Sequence, residues 1–207
     1  MAIVADGPRH AAQIAGTIAT ARAFVAILLA AAVRERLAAA VERLRPLARD
    51  VAWVGPDNFH VTLKFLGGVE ATRLDAIAAA LADAARASRP FDLGVSDLGA
   101  FPSRTRPRVL WAGIDDGAAA TATLAGHVDR VLAPLGFPPE GRVFSAHVTL
   151  GRVRAPRPNP RLAEALSGGA FGRQRVDRLS LMRSELSPRG ACYAELAAVP
   201  LRAGSAG

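Results

Sequence analysis

The stretch Phe59-His60-Val61-Thr62-Leu63-Lys64-Phe65-Leu66-Gly67 nearly recurs later in the chain as Ala146-His147-Val148-Thr149-Leu150-Gly151-Arg152-Val153. Both copies are rich in β-branched and aromatic residues, a composition that predicts a short β-strand for each. On a strand, residues two apart project from the same face. In each copy, the histidine and the threonine therefore share one face, while apolar residues occupy the other.

The apolar faces of these two strands can be buried in a core, which leaves the imidazole and hydroxyl groups together on the outer face. A single His-x-Thr pattern says little, because one histidine on a strand is usually structural or at the surface. Two copies of His-Val-Thr-Leu in one chain are much harder to obtain by chance. We therefore predict that His60, Thr62, His147 and Thr149 face one cleft.

Two histidines at one phosphate can cleave a phosphodiester without a metal. Imidazole titrates near neutrality, so one ring can accept a proton from water while the other gives one to the departing oxygen. Thr62 and Thr149 can donate hydrogen bonds to the non-bridging oxygens, although each alone is equally explained as a good strand former. No metal site or cofactor is predicted, because a hydrolytic metal usually needs three or more protein ligands and neither motif contains Asp, Glu or Cys.

The duplicated motif resembles the two-histidine (2H) phosphoesterase superfamily, which is named for its paired His-x-Thr-x motifs. Further segments resemble one branch of it, the bacterial and archaeal RNA 2′,3′-cyclic phosphodiesterases, formerly called 2′-5′ RNA ligases. The resemblance covers about residues 22–202. The segments that carry it are Phe24–Ala26, His60–Gly67, Pro107–Trp111, His147–Arg152 and Ser184–Leu201.

This resemblance implies an enzyme that opens a terminal RNA 2′,3′-cyclic phosphate to a 2′-phosphate. It implies His60 as proton donor to the leaving O3′, His147 as proton acceptor from water, and Arg152 as a phosphate contact. Strict alternation from His147 puts Arg152 on the opposite face, with Leu150. A bulge or strand end at Gly151 would be needed to turn its side chain back.

Three other functions stay open. The first is a 2H enzyme acting on a small nucleotide, such as ADP-ribose 1″,2″-cyclic phosphate or a 2′,5′-linked oligonucleotide. The second is reversible 2′-5′ ligation of RNA ends, and the third is non-catalytic binding of RNA ends, which two intact motifs support poorly. The expected partner is an RNA or oligonucleotide end that carries a 2′,3′-cyclic phosphate, and the expected state is a monomer.

Other residues of the motifs and several arginines have two interpretations each. Lys64 shares the face of His60 on an ideal strand, or is a solvated lysine at a strand end, whereas Phe65 is interpreted as a core residue. The net charge of +8 suits an anionic partner, but 25 of the 26 basic residues are arginine, which indicates compositional bias. Candidates for an RNA track, or else ordinary surface residues, are Arg104, Arg106, Arg154 and Arg157.

The composition predicts a soluble cytoplasmic protein. The chain of 207 residues is 51% hydrophobic and 21% charged, which is typical of a globular protein with an ample core. Its only cysteine, Cys192, excludes an intramolecular disulfide. The apolar run Phe24–Val33 is shorter than the roughly 20 residues that cross a bilayer. We interpret it as a buried strand that runs into a helix, not as a signal peptide.

We predict an N-terminal extension at 1–21, a single bilobal domain at 22–202 and a C-terminal tail at 203–207. Strands that follow one another without a helix favour antiparallel sheets, hence an α+β fold. The resemblance implies two pseudo-symmetric lobes, each an antiparallel sheet with helices on its outer face, with the active cleft between the sheets. Helices are predicted at 31–44, at 72–87 behind a capping box, at 117–132 and after Asn159-Pro160, and a closing hairpin at 174–182 and 191–199.

Overall fold

The computed structural model describes residues 20–187 and 190–202. Most of the predicted extension at 1–21, the tail at 203–207 and the centre of the last hairpin turn lie outside these ranges. The α-helices are Ala31–Leu44 (α1), Leu74–Arg86 (α2), Ala118–Leu132 (α3) and Pro160–Ala165 (α4). The strands are Thr20–Leu28 (β1), Val51–Trp53 (β2), His60–Glu70 (β3), Phe91–Phe101 (β4), Val109–Ile114 (β5), His147–Val153 (β6), Ala170–Val176 (β7), Arg178–Ser187 (β8) and Gly190–Pro200 (β9).

The strands form one curled antiparallel sheet in the order β7-β4-β5-β6-β3-β1-β8-β9, with β2 added beside β6. We call β3-β1-β8-β9 the first lobe and β6-β5-β4-β7 the second lobe. The lobes are continuous through a single backbone pairing, Val61 with Val148. The predicted α+β class with antiparallel pairing is confirmed, and the two motif strands lie side by side where the lobes meet.

The helices cover the face of the sheet opposite the histidines. Helix α1 lies against β7 of the second lobe, while α2 and α3 pack on each other and against β9 and β3 of the first lobe. Each of the three long helices buries an apolar stripe against the sheet. In the motif strands, Val61, Leu63, Val148 and Leu150 are buried behind the histidines. Burial of this apolar face leaves the imidazole face of β3 and β6 free to line a cleft.

The predicted strand at 174–182 is wrong, because the chain breaks it at Asp177. Strand β7 pairs with β4 in the second lobe, whereas β8 pairs with β1 in the first lobe. The composition of a strand does not indicate which strand it pairs with. Two strands that follow each other in sequence but belong to different lobes therefore look like one continuous strand. The hairpin itself is confirmed, since β8 and β9 pair from Arg178 with Pro200 up to Ser187 with Gly190.

The two predicted helix starts have opposite outcomes. The capping box at Thr72 does not form, because Ala71–Arg73 makes a 3-10 turn and α2 begins at Leu74 without a side-chain cap. Asn159 does cap α4, since its Oδ1 accepts a hydrogen bond of 3.1 Å from the backbone N–H of Leu162. Both outcomes concern the back of the sheet and leave the cleft unaffected.

Candidate active site

The two motif histidines begin the neighbouring strands β3 and β6, and their rings are held in the same way. Nδ1 of His60 donates to the backbone carbonyl of Asn58 at 2.7 Å, and Nδ1 of His147 donates to that of Ser145 at 2.7 Å. A carbonyl oxygen only accepts hydrogen bonds, so the proton of each neutral ring lies on Nδ1. Nε2 is therefore the nitrogen of each ring that can take up or release a proton.

Two cavities adjoin along these strands and form one cleft. A cavity of about 420 Å³ is lined by His60, and a cavity of about 570 Å³ is lined by His147. We call them the His60 cavity and the His147 cavity. Both are lined by the same residues in the middle, Thr62, Phe65, Thr149 and Arg152. The structure thus brings all five predicted site residues to one cleft.

A β-bulge turns Arg152 to the cleft. The register between β5 and β6 shifts by one residue at Leu150, and Leu150 and Gly151 are consecutively buried. The extra residue reverses the alternation of β6, so Arg152 lies on the face of the motif histidine although it is five positions further on. Gly151 also makes room for β2, because a Cβ at this position would lie 2.6 Å from Cγ1 of Val51.

The same bulge occurs in β3 and overturns two expectations. The register with β1 shifts at Leu63, so Leu63 and Lys64 are both buried. Lys64 is only 3% exposed, and its ammonium group binds the carboxylate of Asp129. It therefore neither shares the face of the motif histidine nor lies in solvent. Phe65 is 62% exposed in the cleft, and its assignment to the core is wrong.

His60 lies among aromatic rings and beside a hydroxyl group. Its ring centroid is 4.8 Å from that of Phe24 and 5.3 Å from that of Tyr193, whose ring meets it edge-on. Nε2 of His60 lies 3.0 Å from Oγ1 of Thr62. Burial lowers the pKa of His60 below its usual value, and charge on His147 lowers it further, against the opposing effect of the Asn58 carbonyl.

His147 also lies beside an aromatic ring, and the guanidinium of Arg152 lies near it. Its ring centroid lies 5.2 Å from that of Phe101, nearly perpendicular to it. Burial lowers the pKa of His147, and the charge of Arg152 lowers it further, while the Ser145 carbonyl opposes both. Arg152 also acts on Tyr193, whose pKa is nevertheless raised by burial. The guanidinium thus acts on residues of both lobes from the middle of the cleft.

Sequence reasoning missed several cleft residues. Tyr193 on β9 and Phe24 on β1 carry no motif, and only the pairing of distant strands brings them to His60. The four arginines considered either as an RNA track or as ordinary surface residues line neither the His60 cavity nor the His147 cavity. Arg104 donates to the Leu98 carbonyl at 3.1 Å, for example. The other arginines that line the cleft are Arg22 and Arg142.

Across residues 20–187 and 190–202, no group of three or more His, Cys, Asp or Glu residues is arranged to hold a metal ion. Within the same ranges, none of the helices has the length and apolar character needed to cross a membrane.

The sheet and its central cleft define a protein of the 2H phosphoesterase class. More narrowly, the chain belongs to the LigT-like phosphoesterase family, whose model matches residues 27–111 and 113–193. These two segments include both motif strands and part of β9 up to Tyr193, so the match includes all five predicted site residues.

Relatives and solved structures agree with this assignment. The chain is 34% identical over 178 residues to an RNA 2′,3′-cyclic phosphodiesterase of Methanothermobacter thermautotrophicus, covering 84% of this chain and 96% of that protein. It is 35% identical over 178 residues to the Archaeoglobus fulgidus protein of the same name, covering 84% and 97%. The TT0787 protein of Thermus thermophilus superposes with a TM-score of 0.76 at 31% identity, covering 89% and 100%. Escherichia coli LigT complexed with 3′-AMP superposes with a TM-score of 0.71 at 27% sequence identity. The match covers 88% of this chain and 99% of the LigT chain.

Proposed function

We propose that the protein hydrolyses the 2′,3′-cyclic phosphate at RNA ends to a 2′-phosphate, without a metal, through its paired His-x-Thr motifs. One observation carries this proposal: two imidazoles line adjoining cavities that share their middle residues. Nδ1 of each ring donates to a backbone carbonyl, which leaves Nε2 for proton transfer. The names of the relatives at 34% and 35% identity supply the substrate class.

The phosphate lies in the middle of the cleft, against the three polar residues that both cavities share. The hydroxyls of Thr62 and Thr149 donate to its non-bridging oxygens, and the guanidinium of Arg152 adds charge-assisted donors. Such groups stabilise the negative charge that builds up as water adds to phosphorus, which is often the largest single contribution to catalysis.

The two histidines divide the proton transfers. Nε2 of His147 takes a proton from water as the water oxygen attacks phosphorus. Nε2 of His60 gives its proton to O3′ as the P–O3′ bond breaks, which leaves a free 3′-hydroxyl and a 2′-phosphate. Burial and a nearby charge lower the pKa of both histidines, so this division of roles follows the family resemblance. An anionic substrate raises the pKa of His60 and supplies the protonated acid.

Residues 22–202 form the catalytic domain, which works as a monomer in the cytoplasm on RNA or oligonucleotide ends. Support comes from the cleft itself, because one chain supplies the shared walls and both histidines.

The test is hydrolysis of an RNA oligomer with a 2′,3′-cyclic phosphate end after exhaustive chelation. We expect full turnover in chelator, a 2′-phosphate product, and no turnover by a His60→Ala/His147→Ala variant as the matched control. Loss of activity on chelation, with recovery on adding a divalent ion, would instead indicate a metallohydrolase. Faster turnover of cyclic mononucleotides or of ADP-ribose 1″,2″-cyclic phosphate than of the oligomer would indicate the small-nucleotide alternative.

A further inference from the structure

Each motif strand is preceded by chain segments that pack on the opposite lobe. Helix α1 and β2 precede β3, yet α1 packs on β7 and β2 pairs with β6. Helix α3 precedes β6, yet it packs on β3. The segment that follows α3, residues 136–146, is likewise held by β3, and we call it the entry segment. The two halves of the chain thus exchange the pieces that lead into their histidines.

The exchanged pieces are held at equivalent positions, four residues past each histidine. In β6 this residue is Gly151, which pairs with Trp53 and leaves room for β2. In β3 it is Lys64, whose Nζ donates to the Pro138 carbonyl of the entry segment at 2.7 Å. The bulge in each strand buries this position. Lys64 also lines the His147 cavity, but its ammonium group is bound by Asp129 and by the Pro138 carbonyl.

Lys64, which is buried, and Asp129, which is partly buried, together form a clamp on the entry segment. Lys64 is 3% exposed, and the side chain of Asp129 on α3 is 22% exposed. Asp129 binds the ammonium through Oδ1 and accepts from the backbone N–H of Glu140 through Oδ2 at 3.4 Å. A buried ion pair contributes little net stability compared with apolar residues of the same volume. Its presence here calls for a role beyond stability.

The clamped segment leads directly to the His147 cavity. The residues that follow Glu140 line that cavity, namely Arg142, Val143 and Phe144. The side chain of Val143 is 97% exposed. Ser145 follows, and its carbonyl holds Nδ1 of His147. Pro138 and Glu140 are thus fixed points in the stretch that shapes the cavity wall and sets the orientation of the imidazole.

We infer that Lys64 is a positioning residue: with Asp129, it holds the entry segment so that His147 and the wall of its cavity are correctly placed. This inference rests on the proposed function for its effect on activity, but the orientation of the imidazole can be measured by itself. A small misplacement of a catalytic group by a change remote from the chemistry lowers rates substantially.

The test is the Lys64→Met/Asp129→Leu variant, in which apolar residues of similar size replace the pair. We expect the midpoint of thermal unfolding to stay within a few degrees, because such replacements are often neutral or stabilising. We expect kcat/KM to fall about 10- to 100-fold. In NMR spectra, the Nδ1–H proton of His147 should exchange faster with water, while that of His60 stays unchanged as an internal reference.

Controls make the outcome decisive. Arg175→Met breaks an exposed ion pair with Asp92 in the second lobe and should change neither readout. If the double variant does not fold, Lys64→Arg serves, because it keeps a cation beside Asp129 while its planar guanidinium changes the contact with the Pro138 carbonyl. Unchanged kcat/KM together with an unchanged His147 resonance would overturn the inference. If the wild-type protein fails to open a cyclic phosphate, the proposed function fails, while the His147 resonance still decides on the clamp.

Discussion

Phe65 and Arg152 occupy equivalent positions in the two halves of the cleft. Each is the fifth residue past a motif histidine, each follows a one-residue bulge, and both line the His60 and the His147 cavities. One lobe therefore presents an aromatic ring where the other presents a guanidinium. The near-symmetry of the motifs is broken at this position, because an aromatic ring can stack on a base whereas a guanidinium can bind a phosphate.

Replacement of Arg152 tests its position on the cleft face. We expect Arg152→Ala to lower kcat/KM by about 100- to 1,000-fold, the usual effect of removing a donor to developing negative charge. Arg152→Lys should restore activity only in part, because a point charge replaces a bidentate fork. The pKa of His147, followed by NMR, should rise in the alanine variant. Near-normal kcat/KM in that variant would remove Arg152 from the phosphate site.

Replacement of Phe65 tests whether the exposed ring serves the base. Stacking of a base on an aromatic side chain contributes about 1–3 kcal/mol, so Phe65→Ala should weaken binding of a nucleotide product by roughly 5- to 150-fold. Phe65→Tyr keeps the ring and should bind like the wild-type protein. Inorganic phosphate has no base, and its dissociation constant, measured by calorimetry, should not change. An equal loss for phosphate and nucleotide would show a general disturbance of the cleft instead.

The spacing of the motifs was sufficient to predict that the two histidines and the two threonines line the cleft, but not which way the residues after them point. His-x-Thr spacing places the histidine and threonine of each motif on one face, because both precede the bulge. Beyond Thr62 and Thr149, strict alternation fails. Gly151 allowed a bulge to be considered in β6, but nothing in Leu63-Lys64 marks an inserted residue in β3, since a bulge is defined by pairing with another strand.

Contacts between distant strands were likewise beyond local patterns. Tyr193 and Phe24 meet His60 only because β1 lies between β3 and β8, and β9 follows β8. The break at Asp177 was missed for the same reason, because the period of a strand is the same in either lobe. Helix α1, by contrast, was predicted at its observed bounds of Ala31–Leu44, since its apolar spacing is entirely local.

The lowered pKa values of His60 and His147 predict a loss of stability in mild acid. Both fall below 6.5 in the folded protein, whereas unfolded histidines titrate near about 6.5. Below that pH the unfolded state binds more protons, so the free energy of unfolding should drop as pH falls from about 6.5 toward the folded values. Urea unfolding at several pH values should show a smaller drop in a His60→Ala/His147→Ala variant. An equal drop in both proteins would place the effect elsewhere.

A substrate whose leaving group needs no proton distinguishes the roles of the two histidines. When sulfur replaces the bridging 3′-oxygen of the cyclic phosphate, the thiolate departs without an acid. His60→Ala should then recover most of its lost kcat/KM, while His147→Ala should stay inactive, because water must still be deprotonated. Rates on the oxygen and sulfur substrates, measured for each variant against the wild-type protein, give the comparison. Rescue of His147→Ala instead would exchange the two roles. Rescue of neither would mean that the imidazoles bind and orient the phosphate without transferring protons.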